Sequence, residues 1–299
     1  MKTSKKLFSE GMKILNGPNF WTSSQNYMNN DTIAAACLTH IGKRLNQEDN
    51  FLFNGVYLTS ELQTQLTYRH CYFSSVAPAS KVQLFAVSDG MGGHNAGEVA
   101  SRICVEKLAL AHKELQQYSS IKAAVSYLQQ LIADINNTVC EMSRRQPEWK
   151  GMGATLVLLV VCGAECAVLN VGDSRAYQFS NHQLDRITKD HTEGQRMLDL
   201  GLLTRKELSG FPARKHLNRY IGYGQSGYVL QADEYYPALE NGVILLCSDG
   251  ISDFIPEARI LEILDSEHEP VIAGKQLISE AVTATNADNA TAILIPFRR

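Results

Sequence analysis

The chain has 299 residues, of which 44% are hydrophobic and 20% charged, so it can bury a full core as one large domain. Its formal net charge of -3 is too small to predict binding to nucleic acid or to an anionic membrane. No apolar h-region follows the early lysines, and the longest apolar stretch, 156–162, is too short to cross a bilayer. We therefore expect a cytoplasmic protein.

The first part of the chain, residues 1–31, is polar and without periodicity, which predicts an N-terminal arm before a domain at 32–299. Within that domain there are apolar runs of strand length, most of which end at short turns that carry Gly, Asp or Asn, as antiparallel hairpins do. These runs occupy 33–38, 82–87, 156–161, 167–171, 243–247 and 291–295.

Helical periodicity is most regular at 121–142, where it predicts about six turns, and shorter helices are predicted at 99–115 and 272–281. Pro256 is placed in the first turn of another helix that ends at residue 264. Strands in groups with helices in pairs favour an α+β fold, namely an antiparallel β-sandwich flanked by helix pairs on both faces.

The periodicity weakens at about 192–227, which predicts a flap-like surface subdomain. Thr192 with Gln195, and Thr204 with Glu207, have the spacing of capping boxes that open short helices.

Acidic residues recur at the ends of the predicted strands, at Asp89, Asp173, Asp249 and Asp288. If the strand ends converge, these carboxylates repel one another and require a cation, and oxygen ligands favour Mg²⁺ or Mn²⁺. The alternative explanation is that Asp simply favours turns, which is enough to explain Asp173 or Asp288 taken alone. Turn preference explains Asp89 and Asp249 less well, because each lies in a Ser-Asp-Gly triplet directly after an apolar strand.

A second polar cluster, Arg44-Leu-Asn-Gln-Glu-Asp49, places a guanidinium beside carboxylates and could bind a phosphoryl group through two oxygens. The alternative is a surface ion pair that contributes little to stability. The glycines at 90–93 lack the Gly-Lys-Ser/Thr ending of a nucleotide site, so we exclude that role. His94 and His191 are interpreted as structural histidines.

With these residues assembled, the chain resembles the bacterial branch of the metal-dependent (type 2C) Ser/Thr protein phosphatases from about residue 32 to residue 295. The motifs that carry the resemblance stand in the family's order: Arg44-Leu-Asn-Gln-Glu-Asp49, Val87-Ser-Asp-Gly-Met-Gly-Gly-His94, Gly151-Met-Gly-Ala-Thr155, Val171-Gly-Asp-Ser-Arg175, Thr188-Lys-Asp-His191, Ser248-Asp-Gly-Ile251 and Asp288-Asn-Ala-Thr291.

The resemblance implies hydrolysis of phosphoserine and phosphothreonine by a water activated at a centre of two Mn²⁺ or Mg²⁺ ions. The resemblance also implies the residues of this centre. Asp89 would bridge both ions, Gly90 would bind through its carbonyl, Asp249 and Asp288 would bind the second ion, and Glu48 and Asp49 would contact the ions directly or through water. Arg44 would bind the phosphate, Asp173 would bind a third, weaker ion, and Thr155 and Asn289 would support the site.

One position departs from the animal members, which carry a histidine as the leaving-group acid where this chain has Met91. We therefore expect a water at the metal centre to supply that proton, and we assign no protein acid. Two alternative functions are a non-catalytic phosphoprotein-binding member of the fold and a hydrolase of small phosphate esters.

Basic residues outnumber acidic ones between positions 186 and 219, with eight Lys or Arg against four Asp or Glu. Arg214, Lys215 and Arg219 lie close together in a stretch with little apolar periodicity and are predicted to bind the substrate. The expected partners are phosphorylated proteins, including a Ser/Thr kinase or its substrates.

Overall fold

The computed structural model describes residues 32–66, 71–78, 81–92, 96–224 and 228–297. The predicted arm at 1–31 and His94 lie outside the described residues, and the division into arm, domain and flap stays a prediction. No helix in the described ranges is long and apolar enough to span a bilayer.

Two six-stranded antiparallel sheets form the centre of the molecule. The first contains, in spatial order, β11 (Gln183–Arg186), β10 (Arg175–Ser180), β13 (Gly242–Cys247), β14 (Ala290–Phe297), β1 (Thr32–His40) and β4 (Cys71–Pro78). The second contains β12 (Asp233–Tyr235), β9 (Glu165–Val171), β8 (Leu156–Cys162), β5 (Val82–Ser88), β2 (Asn50–Phe53) and β3 (Val56–Tyr57). A short ribbon pairs β6 (Gly90–Met91) with β7 (Gly153–Ala154).

The strand β8 shows why the sheets stack. Its alternate residues Val157, Leu159 and Val161 pack against the first sheet, in a core that includes Ile244 and Ile293. Side chains of a strand point alternately to its two faces, so the intervening residues of β8 contact the helical layer instead. Every residue of β8 is consequently buried, which explains its unbroken apolar sequence.

Two helices cover the outer face of each sheet. The helices in the described ranges are α1 (Ser60–Leu66), α2 (Gly97–Leu115), α3 (Ile121–Arg145), α4 (Glu193–Asp199), α5 (Arg205–Leu208), α6 (Asp249–Ser252), α7 (Glu257–Ser266) and α8 (Pro270–Ala281), with a 3₁₀ turn at Pro147–Trp149. The helices α2 and α3 pack on the second sheet, and α7 and α8 pack on the first. The predicted sandwich with helix pairs on both faces is therefore confirmed.

Two local predictions need correction. Pro256 is the N-cap of α7 and lies one residue before the helix, where its missing N–H costs no hydrogen bond. The capping box predicted at Thr192 is only half formed: the hydroxyl accepts from the Gln195 N–H, but the Gln195 side chain donates to Asp199 at 2.9 Å. The box at Thr204 and Glu207 is complete.

Candidate active site

The predicted carboxylates meet at one edge of the sandwich. In the second sheet, Asn50 at the start of β2 pairs with Ser88 at the end of β5, so Asp49 and Asp89 emerge at the same edge. In the first sheet, Cys247 at the end of β13 pairs with Ala292 near the start of β14, which brings the segments with Asp249 and Asp288 together. Antiparallel pairing thus converts distant positions in the sequence into one cleft.

Asp49 is the most buried member of this cluster, with no exposed surface. Its Oδ2 accepts hydrogen bonds from the hydroxyls of Ser248 and Thr291, both at 2.7 Å. Its Oδ1 has no hydrogen-bond partner among the described residues. Burial raises the pKa of Asp49 to about 7, although the two hydroxyls favour the charged form. An unpartnered, buried carboxylate oxygen is the kind of group that a cation would satisfy.

The other aspartates also resist ionisation. Burial raises the pKa of Asp89 well above its ordinary value, and the charges of Asp49 and Asp249 raise it further. Burial likewise raises the pKa of Asp249 to about 6, with Asp253 and then Asp288 adding to the effect. Burial, followed by the charge of Asp249, also raises the pKa of Asp173 well above its ordinary value. The cluster therefore binds protons more readily than isolated carboxylates do, or it binds cations.

Glu48 and Arg44 lie at the mouth of the cleft. Burial, followed by the charge of Glu98, raises the pKa of Glu48 to about 7. The Arg44 guanidinium pairs with Asp288, and the Arg44 side chain is 58% exposed. Its remaining donors are thus available to a group that enters from solvent.

Two neutral side chains hold the loops that carry the carboxylates. The Thr155 Oγ1 accepts from the Asp89 N–H at 3.0 Å, and the Thr155 N–H donates to the Asp89 carbonyl at 2.8 Å. The Asn289 amide donates to the carbonyls of Ile41 and Asn46, while its Oδ1 accepts from the Glu48 N–H at 2.7 Å. These contacts are what the supporting roles predicted for Thr155 and Asn289 would require.

Gly90 permits a close approach of two backbones. A Cβ added at Gly90 would collide with the carbonyl of Gly97, at the start of α2, and would lie 2.8 Å from the Glu48 carbonyl oxygen. Both neighbours are backbone atoms and cannot swing away. The absence of a side chain at position 90 therefore lets α2 and the loop of Glu48 pack beside Asp89.

We expect Gly90→Ala to destabilise the protein by about 1–3 kcal/mol, because the new methyl group forces backbone atoms apart. Thermal unfolding measures the change. Gly210→Ala is the matched control, since a Cβ there would make an ordinary contact of 3.7 Å with the Glu207 carbonyl oxygen. Equal stabilities of the two variants would contradict the close packing around Gly90.

The donor set fits a hard cation. Among the residues that the structure describes, the side chains of the predicted ligands at the cleft offer carboxylate oxygens, as Mg²⁺ and Mn²⁺ prefer. Within the described ranges, however, no three His, Cys, Asp or Glu side chains are close enough to form a closed ligand shell. The carboxylates are neighbours in one cleft, and the unpartnered oxygen of Asp49 indicates where a positive charge fits.

The predicted substrate-binding residues separate into two groups. Arg214 and Lys215 line a cavity of about 370 Å³ that Asp173 and Asp249 also line. Arg219 lies elsewhere, where it pairs with Asp233 of β12 at 2.7 Å and contacts His191. The chain turns between these positions, so nearness in sequence does not bring Arg219 to the cavity.

His191 has structural partners on both ring nitrogens. Its Nδ1 accepts from the Gly172 N–H at 2.9 Å, and its Nε2 lies 3.1 Å from an Asp233 carboxylate oxygen. Burial lowers its pKa, which favours the neutral ring. These contacts agree with the structural interpretation of this histidine.

Three polar residues of the site were not singled out from the sequence: Ser248, Thr291 and Ser174. The first two bind Asp49, and the Ser174 hydroxyl lies 2.6 Å from the Thr155 Oγ1. All three belong to the motifs quoted above, directly beside or within three residues of a predicted ligand. A hydroxyl residue within the same motif as a predicted carboxylate ligand was the signal that could have identified them.

Comparison with known proteins agrees with this geometry. The sequence profile of the protein phosphatase 2C family matches residues 72–279. A serine/threonine phosphatase of Listeria monocytogenes is 32% identical over 209 residues, which are 70% of this chain and 82% of that protein. The crystal structure of a bacterial serine phosphatase has a TM-score of 0.74 at 28% identity and covers 89% of this chain and 98% of its own.

A further solved structure is the catalytic domain of the serine/threonine protein phosphatase PstP in complex with two manganese ions. Its TM-score is 0.68 at 27% identity, with 89% of this chain and 98% of that chain covered. The family resemblance that the motifs predicted is confirmed: the chain belongs to the protein phosphatase 2C family.

Proposed function

We infer that this chain is a protein serine/threonine phosphatase, a hydrolase of phosphoric monoesters, which works with divalent cations bound at the aspartate cleft. The observation that carries this inference is the convergence of carboxylates around Asp49, whose Oδ1 is buried without a partner among the described residues. A cleft that concentrates negative charge in this way needs a cation before it can accept a phosphate ester.

We propose that two ions, Mn²⁺ or Mg²⁺, are held by Asp89, Asp249 and Asp288, with Glu48, Asp49 and the Gly90 carbonyl completing the shell. A third, weaker ion would use Asp173. The manganese ions bound by the related PstP domain support this proposal. Divalent ions in such a site lower the pKa of water and neutralise charge on phosphoryl oxygens.

In this proposal Arg44 orients the substrate. Its planar guanidinium is exposed at the mouth of the cleft and matches two oxygens of a phosphoryl group. The pairing with Asp288 holds one nitrogen of the Arg44 guanidinium at the mouth of the cleft. Thr155 and Asn289 hold the backbone on either side of the reacting group.

The chain offers no acid at the position of the animal histidine, because the Met91 side chain carries no titratable proton. Met91 lies in the short ribbon with Gly153. We therefore propose that the leaving alkoxide receives its proton from solvent water in the cleft.

Phosphorylated proteins are the substrates that we propose, including a Ser/Thr kinase or the proteins that it modifies. The Listeria relative is a serine/threonine phosphatase, which supports this class. A cytoplasmic location stays a prediction from the sequence.

A direct comparison of substrates tests the function. With Mn²⁺ present, we expect kcat/KM for phosphoserine and phosphothreonine peptides to exceed that for a panel of phosphorylated metabolites by at least about tenfold. The reason is that the flap adds a surface beside the cleft that only a polypeptide can use. Preference for a metabolite would instead support the small-molecule hydrolase, and binding of phosphopeptides without turnover would support the non-catalytic alternative.

A further inference from the structure

The cavity beside the aspartate cleft is lined by residues of two chemical kinds. Asp173 and Asp249 line it from the edge of the sandwich. The flap contributes basic residues to the same cavity, namely Arg205 of α5 together with Arg214 and Lys215. The volume of the cavity, about 370 Å³, is large enough for a side chain with a phosphate group. A substrate segment bound at the cleft would therefore lie next to basic residues of the flap.

Most basic residues along this cavity already have acidic partners. Arg175 and Arg186 both bind Asp190, the former at 2.7 Å. Lys215 pairs with Asp253. The side chains of these three residues are already engaged within the protein, although Arg175 and Arg186 share one carboxylate, so they are less available to a ligand.

Arg205 and Arg214 differ, because neither forms an ion pair with any residue that the structure describes. Both side chains are exposed and both line the same cavity. Two unpaired guanidinium groups that share one cavity provide a site for an anion with several oxygens.

The backbone holds both arginines in place. Gly194 in the first turn of α4 donates its N–H to the Arg214 carbonyl at 3.2 Å, and a Cβ at Gly194 would lie 3.0 Å from the Arg214 Cα. Arg205 follows the complete capping box of Thr204 and Glu207. The backbone positions from which the two side chains project are therefore held in place, so that binding an anion costs side-chain entropy and little backbone entropy.

We propose that Arg205 and Arg214 bind a second anionic group of the substrate, a phosphate or a carboxylate on a residue near the one being dephosphorylated. The inference rests on the proposed phosphatase function and assigns a preference to it: segments with a neighbouring phosphoserine, Asp or Glu are better substrates than neutral segments. The charges act on substrate binding, since neither arginine belongs to the proposed ligand set.

The test uses the whole 299-residue chain with Mn²⁺ and three series of peptides that contain one phosphoserine. In the first series the flanking residues are neutral. In the second, a Glu is placed at one to four residues on either side, and in the third a non-hydrolysable phosphonate replaces that Glu, so that only one bond can be cleaved. We expect the wild-type kcat/KM to rise at least about fivefold at one or more positions, chiefly through a lower KM.

The variants Arg205→Ala and Arg214→Ala should each remove about half or more of this preference, and the double variant should abolish it. Hydrolysis of the neutral series and of a small aryl phosphate should stay within about twofold of wild type. Lys206→Ala is the matched control, because it removes the same charge from the next residue of α5, which does not line the cavity. The preference of the Lys206→Ala variant for anionic over neutral peptides should equal that of wild type.

Equal losses on neutral and anionic peptides would overturn the proposal, as would an equal effect of Lys206→Ala. A preference for phosphonate but not Glu would identify the second group as a phosphate, and an equal response to both would identify negative charge alone; either result supports binding of an anion. If wild-type protein hydrolyses no phosphopeptide of any series, the proposed function fails first, and that outcome is distinct from a flat preference.

Discussion

The substitutions Asp89→Asn and Asp249→Asn are each expected to reduce phosphopeptide hydrolysis by about 10²–10³-fold or more while leaving the protein folded. Removing one group that stabilises a developing charge typically costs this much in rate. Both side chains lie in the same cleft, where the charge of Asp249 raises the pKa of Asp89. Either change therefore alters the set of oxygens around both proposed ions.

The same two substitutions should leave the stability of the metal-free protein unchanged or increase it. Burial and neighbouring charges raise the pKa of Asp89 and of Asp249, so ionised carboxylates at these positions oppose folding in the metal-free protein. A neutral amide removes that repulsion. In a chelator at pH 8, the melting temperature of each variant should equal or exceed that of wild type.

The control for both measurements is Asp134→Asn, an exposed residue of α3 far along the chain from the cleft motifs. It should change neither rate nor melting temperature appreciably. If Asp89→Asn or Asp249→Asn kept more than about a tenth of the wild-type rate, a loss of less than about 1.4 kcal/mol, its assignment as a ligand would be wrong.

The sequence patterns were most informative where a strand is buried on both faces. The continuous apolar runs of β5 and β8 predicted both strands within one residue at either end, since both faces of the second sheet are covered. The long helix α3 was predicted with the correct first residue and an end three residues too early, because its buried residues repeat every three or four positions only as far as Val139.

Strands at the sheet edges were missed for the same physical reason. The edge strand β11 pairs only with β10, and each of its residues retains exposed surface, so its sequence Gln-Leu-Asp-Arg carries no apolar pattern. The edge strand β12 was also missed, and it has only three residues, of which two are acidic. The edge strands β3 and β4 and the interior strands β2 and β10 were missed as well. Tertiary pairing, not local sequence, determines such strands.

The same distinction applies to the site. Asp89 and Asp249 could be predicted because each follows a buried strand within a Ser-Asp-Gly triplet. The course of the flap could not: Leu217 bridges Thr192 and Ile221 bridges Ala154, and these non-local contacts turn Arg219 toward Asp233 instead of the cavity. Arg205 reaches that cavity although it lies nine residues before Arg214.

Removal of metal is expected to stop turnover and to reverse the pH dependence of stability. In a chelator, hydrolysis of a generic aryl phosphate should fall to background, because in the proposed mechanism the attacking water is activated by the bound cations. Hydrolysis at the full rate in metal-free buffer would contradict a mechanism based on two ions. Readdition of Mn²⁺ or Mg²⁺ should restore activity.

The sign of the stability effect follows from the raised pKa values. Glu48 and Asp49 have pKa values of about 7 and Asp249 of about 6 in the folded protein, whereas the ordinary values are 4.5, 3.8 and 3.8. Above about pH 4 the unfolded chain therefore binds fewer protons at these groups than the native protein does. Their contribution makes the metal-free protein less stable as the pH rises from about 4 through about 7.

Thermal unfolding at pH 5.5 and pH 8 measures this contribution. Without metal, we expect the melting temperature to be lower at pH 8 by at least about 3 °C. With saturating Mn²⁺ the order should invert, because cations bind the ionised carboxylates and compete with protons for them. The Asp49→Asn variant should show a smaller difference in the chelator, since it lacks the most buried of these acids. If the metal-free protein were instead more stable at pH 8 than at pH 5.5, the cleft carboxylates would not repel one another strongly enough to affect folding. The electrostatic argument for a cation in this cleft would then fail.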